Sequence, residues 1–232
     1  MSQEEPIWQV EDSIPPALKE QIEFLKNSPT LNKVSNNPII NLFTFLHIVR
    51  QLKITRRTGW VDFGIADAES ISDHMYRMGI ISFLTNDKSL DTNRCVKIAL
   101  VHDMAESIVG DITPVAPISK EEKHRREFET MQYLTMQLLA PFNPSAAQEI
   151  MDCWNEYEDV ATPEARFVKD VDKFELLMQC IEYERDTKGT KGLEQFLSVR
   201  SSIKTKEVCE WADAAIAIRS EYLASLEEKD KA

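Results

Sequence analysis

The sequence predicts an all-α protein of about nine helices, and three observations carry that reading. Glycine is scarce, six residues in 232, and tight-turned β folds consume it. Apolar residues recur at helical spacing in one segment after another. Ser, Thr, Asn or Asp stands at the head of most of these segments, often followed by proline or an acidic residue, as helix starts require.

Composition bounds the remaining choices. A chain that is 43% hydrophobic and 28% charged is expected to be soluble and to bury a sizeable core. The net charge of −12 speaks against non-specific nucleic-acid binding and against an anionic membrane. An anionic substrate would then need local cations, from arginine or from metal. Cys95, Cys153, Cys180 and Cys209 fall in no C-x-x-C spacing, so no zinc finger or thioredoxin motif is expected. Scattered thiols, an acidic N-terminus and the lack of a long apolar run predict an intracellular protein of the cytoplasm, or of cytoplasm and nucleus, with no membrane span.

Residues 1–13 read as a loose arm. Pro15-Pro16 opens a short amphipathic helix to Asn27, with Leu18, Ile22 and Leu25 on one face. After a polar break at 32–37, Asn37-Pro38 caps a helix to about Lys53, with Ile39, Leu42, Phe43, Leu46 and Val49 as its apolar positions. Residues 55–69 lack helical period. In that stretch Arg56, Arg57 and Trp60 offer a phosphate fork and a flat wall for a sugar or base; the competing reading is a linker whose aromatics plug the core.

Ser70 and Asp73 have capping-box spacing and start a helix to about Asn86, with His74 in its first turn. Asp91 launches a central helix that Gly110 ends. Pro114 and Pro117 make the next stretch a loop. Ser119 with Glu122 repeats the capping box, and Phe128, Met131, Leu134 and Leu138 mark the inner stripe of the helix that follows. Asn143-Pro144 and Thr162-Pro163 start two more helices. Gly189 and Gly192 interrupt the chain before a short helix near 193–199 and a last one over about 205–226. The expected organisation is an N-terminal arm and short helix (1–37), a central domain (38–200), and a C-terminal helix packed on it (201–232).

The central helix carries the chemistry. His102 and Asp103 stand together inside an apolar run, and Glu106 follows four residues on, one turn along an unbroken helix. A buried carboxylate without a partner costs several kcal/mol, so it usually faces a cation. Asp172 shares a helical face with Val168 and Leu176, and Asp170 lies close by. His74, His102, Asp103 and Asp172 together form a donor set suited to Mn, Fe, Co, Ni or Zn, or to Mg with added water. The alternative is a core histidine paired with its neighbours.

The wording around these residues is more specific. Arg57-Thr58-Gly59-Trp60, Ser72-Asp73-His74-Met75-Tyr76-Arg77-Met78, His102-Asp103-Met104-Ala105-Glu106 and Gly110-Asp111-Ile112-Thr113-Pro114 resemble the HD-domain-containing 5′-deoxynucleotidases, a branch of the HD-domain metal-dependent phosphohydrolases. The resemblance spans about 38–200. It implies a single all-α HD-domain fold and hydrolysis of a 2′-deoxyribonucleoside 5′-monophosphate with a divalent cation (Mn, Co, Mg, Fe or Zn). It implies that His74, His102, Asp103 and Asp172 bind metal, and that Glu106 and Asp111 are catalytic. Arg57 would bind phosphate, and Trp60 would pack on the sugar and exclude a 2′-hydroxyl. Relatives often pair, so a homodimer is expected. In the bacterial relatives the Arg and Trp are adjacent; here Thr58-Gly59 separates them, which keeps Arg56 open as the contact. Two alternatives remain: an HD phosphohydrolase for cyclic, oligo- or triphosphate nucleotides, and a non-catalytic metal- or nucleotide-sensing module.

Overall fold

A computed structural model describes residues 7–31, 33 and 37–230. The regular structure among them is helical throughout. In chain order the α-helices are α1 (Val10–Ser13), α2 (Pro16–Lys26), α3 (Pro38–Val49), α4 (Thr58–Asp62), α5 (Ile71–Phe83), α6 (Thr92–Val101), α7 (Glu106–Val109), α8 (Lys120–Gln132), α9 (Pro144–Asp159), α10 (Pro163–Asp186) and α11 (Lys206–Asp230). Two 3-10 segments, Arg50–Lys53 and Glu194–Ser202, and a π-helical continuation of α8, Tyr133–Leu139, complete the set.

The chain forms two compact units, each made of two separate stretches: 1–56 with 103–152, and 57–102 with 153–232. In the first unit α2 lies on α3, α3 on the π-helical segment, and α7 on α8. Leu18, Ile22, Phe45, Ile48, Met131 and Leu134 are buried there, each contributing about 1.5–3 kcal/mol of burial. In the second unit α5 packs on α6, α10 lies against both, and α11 and the 194–202 segment cover α10.

Local signals place most helix starts. Ser70 and Asp73 form the full capping box, and Asn37, Asp91 and Thr162 each accept a backbone N–H of the first turn. Ser119 forms half of the expected box: it accepts from Glu122 N, while the Glu122 carboxylate turns to Arg125 and Arg126 instead.

Several expectations need correction. The expected arm holds α1, with Val10 buried, although residues 1–6 lie outside the described residues, as do 32 and 34–36 of the expected polar break. The stretch 55–69 contains α4. The apolar stripe assigned to α3 is turned outward, with Ile39, Phe43 and Leu46 exposed and Thr44, Phe45 and Ile48 buried. Nearly every position of α3 is apolar, so its periodicity has no contrast to read. The central helix is also not continuous. Residues 102–105 form a turn, with Glu106 N bonding Asp103 O at 3.0 Å and Ser107 N bonding Met104 O at 3.2 Å. Those i→i−3 bonds tighten the chain at the His102-Asp103 pair, so Glu106 opens a new helix and does not extend the face of the old one.

Candidate metal centre

The centre is built on three helices of the second unit. α5 carries His74 and, three residues on, Arg77. α6 ends at Val101, which makes His102 its C-cap. α10 carries Asp172, Glu175, Gln179 and Glu182, whose spacings of three and four put them on one face. The His74 and His102 rings lie 5.5 Å apart, centroid to centroid, and both residues are buried. His74 Nε2 is 3.2 Å from Asp172 Oδ1. The other Asp172 oxygen accepts from Tyr157 Oη at 2.8 Å, and the Tyr157 ring sits 4.7 Å from that of His102.

The outer nitrogen of each imidazole is tied down. His102 Nδ1 donates to the backbone carbonyl of Ala99 at 3.0 Å, and His74 Nδ1 is 2.5 Å from Glu175 Oε2. A ring that spends Nδ1–H this way presents Nε2 with a lone pair, which is the tautomer a metal takes. The His74 and His102 ligand nitrogens are within 4.8 Å of each other. Two such nitrogens beside a carboxylate fit a borderline divalent ion.

The electrostatics agree with a cation site. Burial raises Asp172, but its hydrogen bond to His74 and the charges of His74, His102 and Arg57 outweigh burial and hold the carboxyl well below the usual range. Burial and Arg57 push His74 down, and Glu175 and Asp172 overcome both, taking it up to about 9 without metal. Asp170 has a separate duty. Its Oδ2 accepts Lys204 N at 2.9 Å, Thr205 N at 2.6 Å and Thr205 Oγ1 at 2.8 Å, capping the start of α11.

Arg57 is near enough to His74, Asp172 and Glu69 for its charge to bear on all three. Its backbone N–H bonds Glu69 O at 3.0 Å. Trp60 is 1% exposed, a core side chain rather than an open wall. Its Nε1 donates to Glu69 Oε1 at 2.9 Å, and its ring meets Tyr183 edge-on at 5.3 Å and Phe196 at 4.6 Å. The linker-aromatic reading of this stretch thus describes the indole's packing, while Arg57 faces the charged cluster.

The first unit carries the remaining candidates. Asp103 follows His102 directly in the chain and is half-buried. Glu106 is buried at the head of α7. Asp111 is half-buried just after Gly110, whose φ of 78° and ψ of 171° fall in a region open essentially to glycine alone. Burial lowers Lys123 on α8, but Glu127, Glu106 and Asp103 outweigh it and raise the ammonium group's pKa, so Lys123 shares its field with two of the candidate acids.

Sequence reasoning missed Glu69, Tyr157, Glu175 and Lys123. The signal for Glu175 was available: it stands three residues after Asp172, as Arg77 does after His74. Tyr157 and Lys123 carried none, since only the folded chain places them.

An all-α scaffold that gathers two imidazoles and an aspartate is one whose donor set could hold a divalent ion. Comparison with known proteins makes that narrower. An HD-domain family profile matches residues 49–211, and the chain belongs to the HD-domain family. It is 52% identical over 219 residues to the 5′-deoxynucleotidase YBR242W of Saccharomyces cerevisiae, covering 94% of this chain and 87% of that one. It is 50% identical over 191 residues to the 5′-deoxynucleotidase hdd1 of Schizosaccharomyces pombe, covering 82% and 96%. Among solved structures, the HD domain-containing protein YGK1 superposes with a TM-score of 0.67 at 40% identity, covering 93% of this chain and 98% of that one.

Proposed function

We propose that the protein is a metal-dependent 5′-deoxynucleotidase that hydrolyses 2′-deoxyribonucleoside 5′-monophosphates to deoxynucleoside and phosphate. The observation that carries this is the His74–His102–Asp172 cluster, with both Nε2 atoms presented for a cation, in a chain about half identical to proteins of that name. His74, His102, Asp103 and Asp172 would hold the ion. When bound, it supplies polarisation of the phosphoryl oxygens and lowers the pKa of water.

The chain's own groups do the rest. Arg57 pairs with the phosphate and offsets its charge in an acidic protein. Glu106 accepts the proton of the attacking water as its oxygen bonds to phosphorus. The P–O5′ bond breaks in line, and Asp111 or Glu106 returns a proton to O5′, giving a neutral alcohol. Trp60 supports the site from the core: its Nε1–H holds the Glu69 carboxylate, and the Glu69 carbonyl accepts the Arg57 N–H. A 2′-hydroxyl left buried without a partner is disfavoured.

Three finer parts belong to the same reading. The donor set suits Mn, Co, Fe, Zn or water-completed Mg. Two copies pair, supported by the exposed apolar face of Tyr76, Ile80, Phe83 and Leu100 on α5 and α6. The free thiols of Cys95, Cys153, Cys180 and Cys209 support a reducing, cytoplasmic setting.

Phosphate release from matched deoxy- and ribonucleoside 5′-monophosphates tests the reading, using chelated protein with Mg, Mn or Co restored and Glu106→Ala as control. Metal-dependent release from the deoxy substrate alone, lost in the control, is expected. Equal rates on both sugars would remove the sugar assignment. No release from either substrate by metal-loaded protein would overturn the enzyme reading.

A further inference from the structure

His74 and His102 reach the same ligand geometry by different means. For His102 the partner of Nδ1 is a backbone carbonyl, which no substitution removes. For His74 it is a side chain, Glu175, on another helix, and both residues are 0% exposed. A carboxylate placed there without compensation would be costly, and the structure supplies compensation in Arg77. Arg77 Nε donates to Glu175 Oε1 at 2.7 Å, its NH1 to Glu182 Oε2 at 2.6 Å and its NH2 to Gln179 Oε1 at 2.6 Å. One guanidinium on α5 thereby grips three successive positions on one face of α10, and the first of them is the residue that holds His74.

We propose that Glu175, clamped by Arg77, is the positioning residue of the metal centre: it accepts the Nδ1–H hydrogen bond of His74 and so fixes Nε2 as the metal-facing nitrogen. This rests on the metal-dependent reading above and adds to it the groups outside the ligand shell.

A competing assignment makes Glu175 a ligand, because Glu69, His74 and Glu175 also offer ligand atoms within 4.8 Å of one another. The bonding argues against it. One Glu175 oxygen is committed to His74 Nδ1 and the other to a guanidinium, 2.6 Å at its nearest, and a cation there would meet the positive charge of Arg77. One Glu69 oxygen, Oε1, accepts from Trp60 Nε1. Glu175 also fits the pattern in which a carboxylate behind a ligating histidine sets ring orientation and raises ligand basicity, with losses of roughly 10- to 100-fold in metal affinity when it is removed.

The test compares Glu175→Gln with Glu184→Gln. Glu184 is a buried carboxylate on the same helix, paired with Arg219 and outside the cluster, so it reports what losing a buried ion pair of α10 does by itself. Full-length proteins are titrated with Co(II) and Mn(II), followed by calorimetry and by the visible Co(II) spectrum. Turnover is then measured at saturating metal, and the imidazole region is read by proton–nitrogen NMR on the zinc form. Glu175→Gln is expected to weaken metal binding roughly 10- to 100-fold, to change the Co(II) band, to lose the low-field Nδ1 proton of His74, and to lower kcat more than it raises KM. Glu184→Gln is expected to lose stability and keep the metal affinity of the unsubstituted chain. Should Glu175→Gln fold poorly, Arg77→Lys takes its place: it keeps the charge, frees Glu175 and is expected to weaken metal binding in the same direction. Equal metal affinity and an unchanged Nδ1 signal in Glu175→Gln or Arg77→Lys, with the unsubstituted protein binding metal and releasing phosphate, would overturn the positioning role and leave the enzyme reading intact. No metal uptake by the unsubstituted protein would overturn both.

Discussion

Replacing Trp60 with phenylalanine separates two jobs that an indole can do beside a nucleotide site. In this fold the ring is packed against Tyr183 and Phe196, and its Nε1–H is spent on buried Glu69. Trp60→Phe keeps an aromatic ring but deletes that donor. Leaving a buried acceptor without its partner costs about 1–3 kcal/mol. The smaller ring leaves a void of roughly 40 Å³, worth about 1 kcal/mol at the usual cavity coefficient. The expected loss is therefore about 2–4 kcal/mol, which in a chain of this size lowers the melting midpoint by roughly 5–15 °C. The assay is thermal unfolding of the metal-loaded protein, followed by circular dichroism, alongside the deoxy-to-ribo rate ratio measured well below the transition. Because phenylalanine still fills most of the site and both ring faces are covered by protein, the ratio is expected to move less than about threefold. An unchanged midpoint together with collapse of the sugar preference would refute this placement, since it would mean that the indole meets substrate and not the core.

Asp170→Ala removes the acceptor of two backbone N–H groups and the Thr205 hydroxyl at the start of α11, so it is expected to cost about 2 kcal/mol. Metal uptake should persist, whereas Asp172→Ala should abolish it; metal analysis of the two purified proteins checks the contrast, and metal loss in both would refute it. Glu207 accepts from Asn86 N, Asn86 Nδ2 and Thr85 Oγ1. Burial raises Glu207, and those bonds outweigh it, so the folded pKa lies below the ordinary value. A depressed carboxylate contributes stability above its unfolded pKa and loses it as pH falls through the folded one. Glu207→Gln should thus be less stable at neutral pH and converge with the unsubstituted protein in acid, as urea midpoints measured across pH would reveal.

What the sequence could specify alone was whatever depends on neighbours along the chain. The capping box of Ser70 with Asp73, the Asn37-Pro38 and Thr162-Pro163 starts and the left-handed glycines after α10 are interactions within a few residues, so their spelling carries their geometry. The candidate ligands were legible for a related reason: histidines and aspartates embedded in apolar helical stretches are costly unless something compensates them.

Other features needed the tertiary fold. The inward face of α3 could not be read from a segment apolar nearly all round; packing chose Phe45 and Ile48 and left Leu46 outside. Whether Asp170 or Asp172 meets His74 depended on what lies opposite each: the head of α11 for one, α5 for the other. The turn at 102–105 replaced a helix that local propensity favoured. Trp60 resolved into a core side chain because Glu69, Tyr183 and Phe196, distant from one another in sequence, converge on it. Arg77, Glu175 and Tyr157 acquired their duties in the same way. Spacing can place a carboxylate on a helix face but does not name the partner opposite it, so only the packed molecule reveals which carboxylate holds a histidine and which caps a helix.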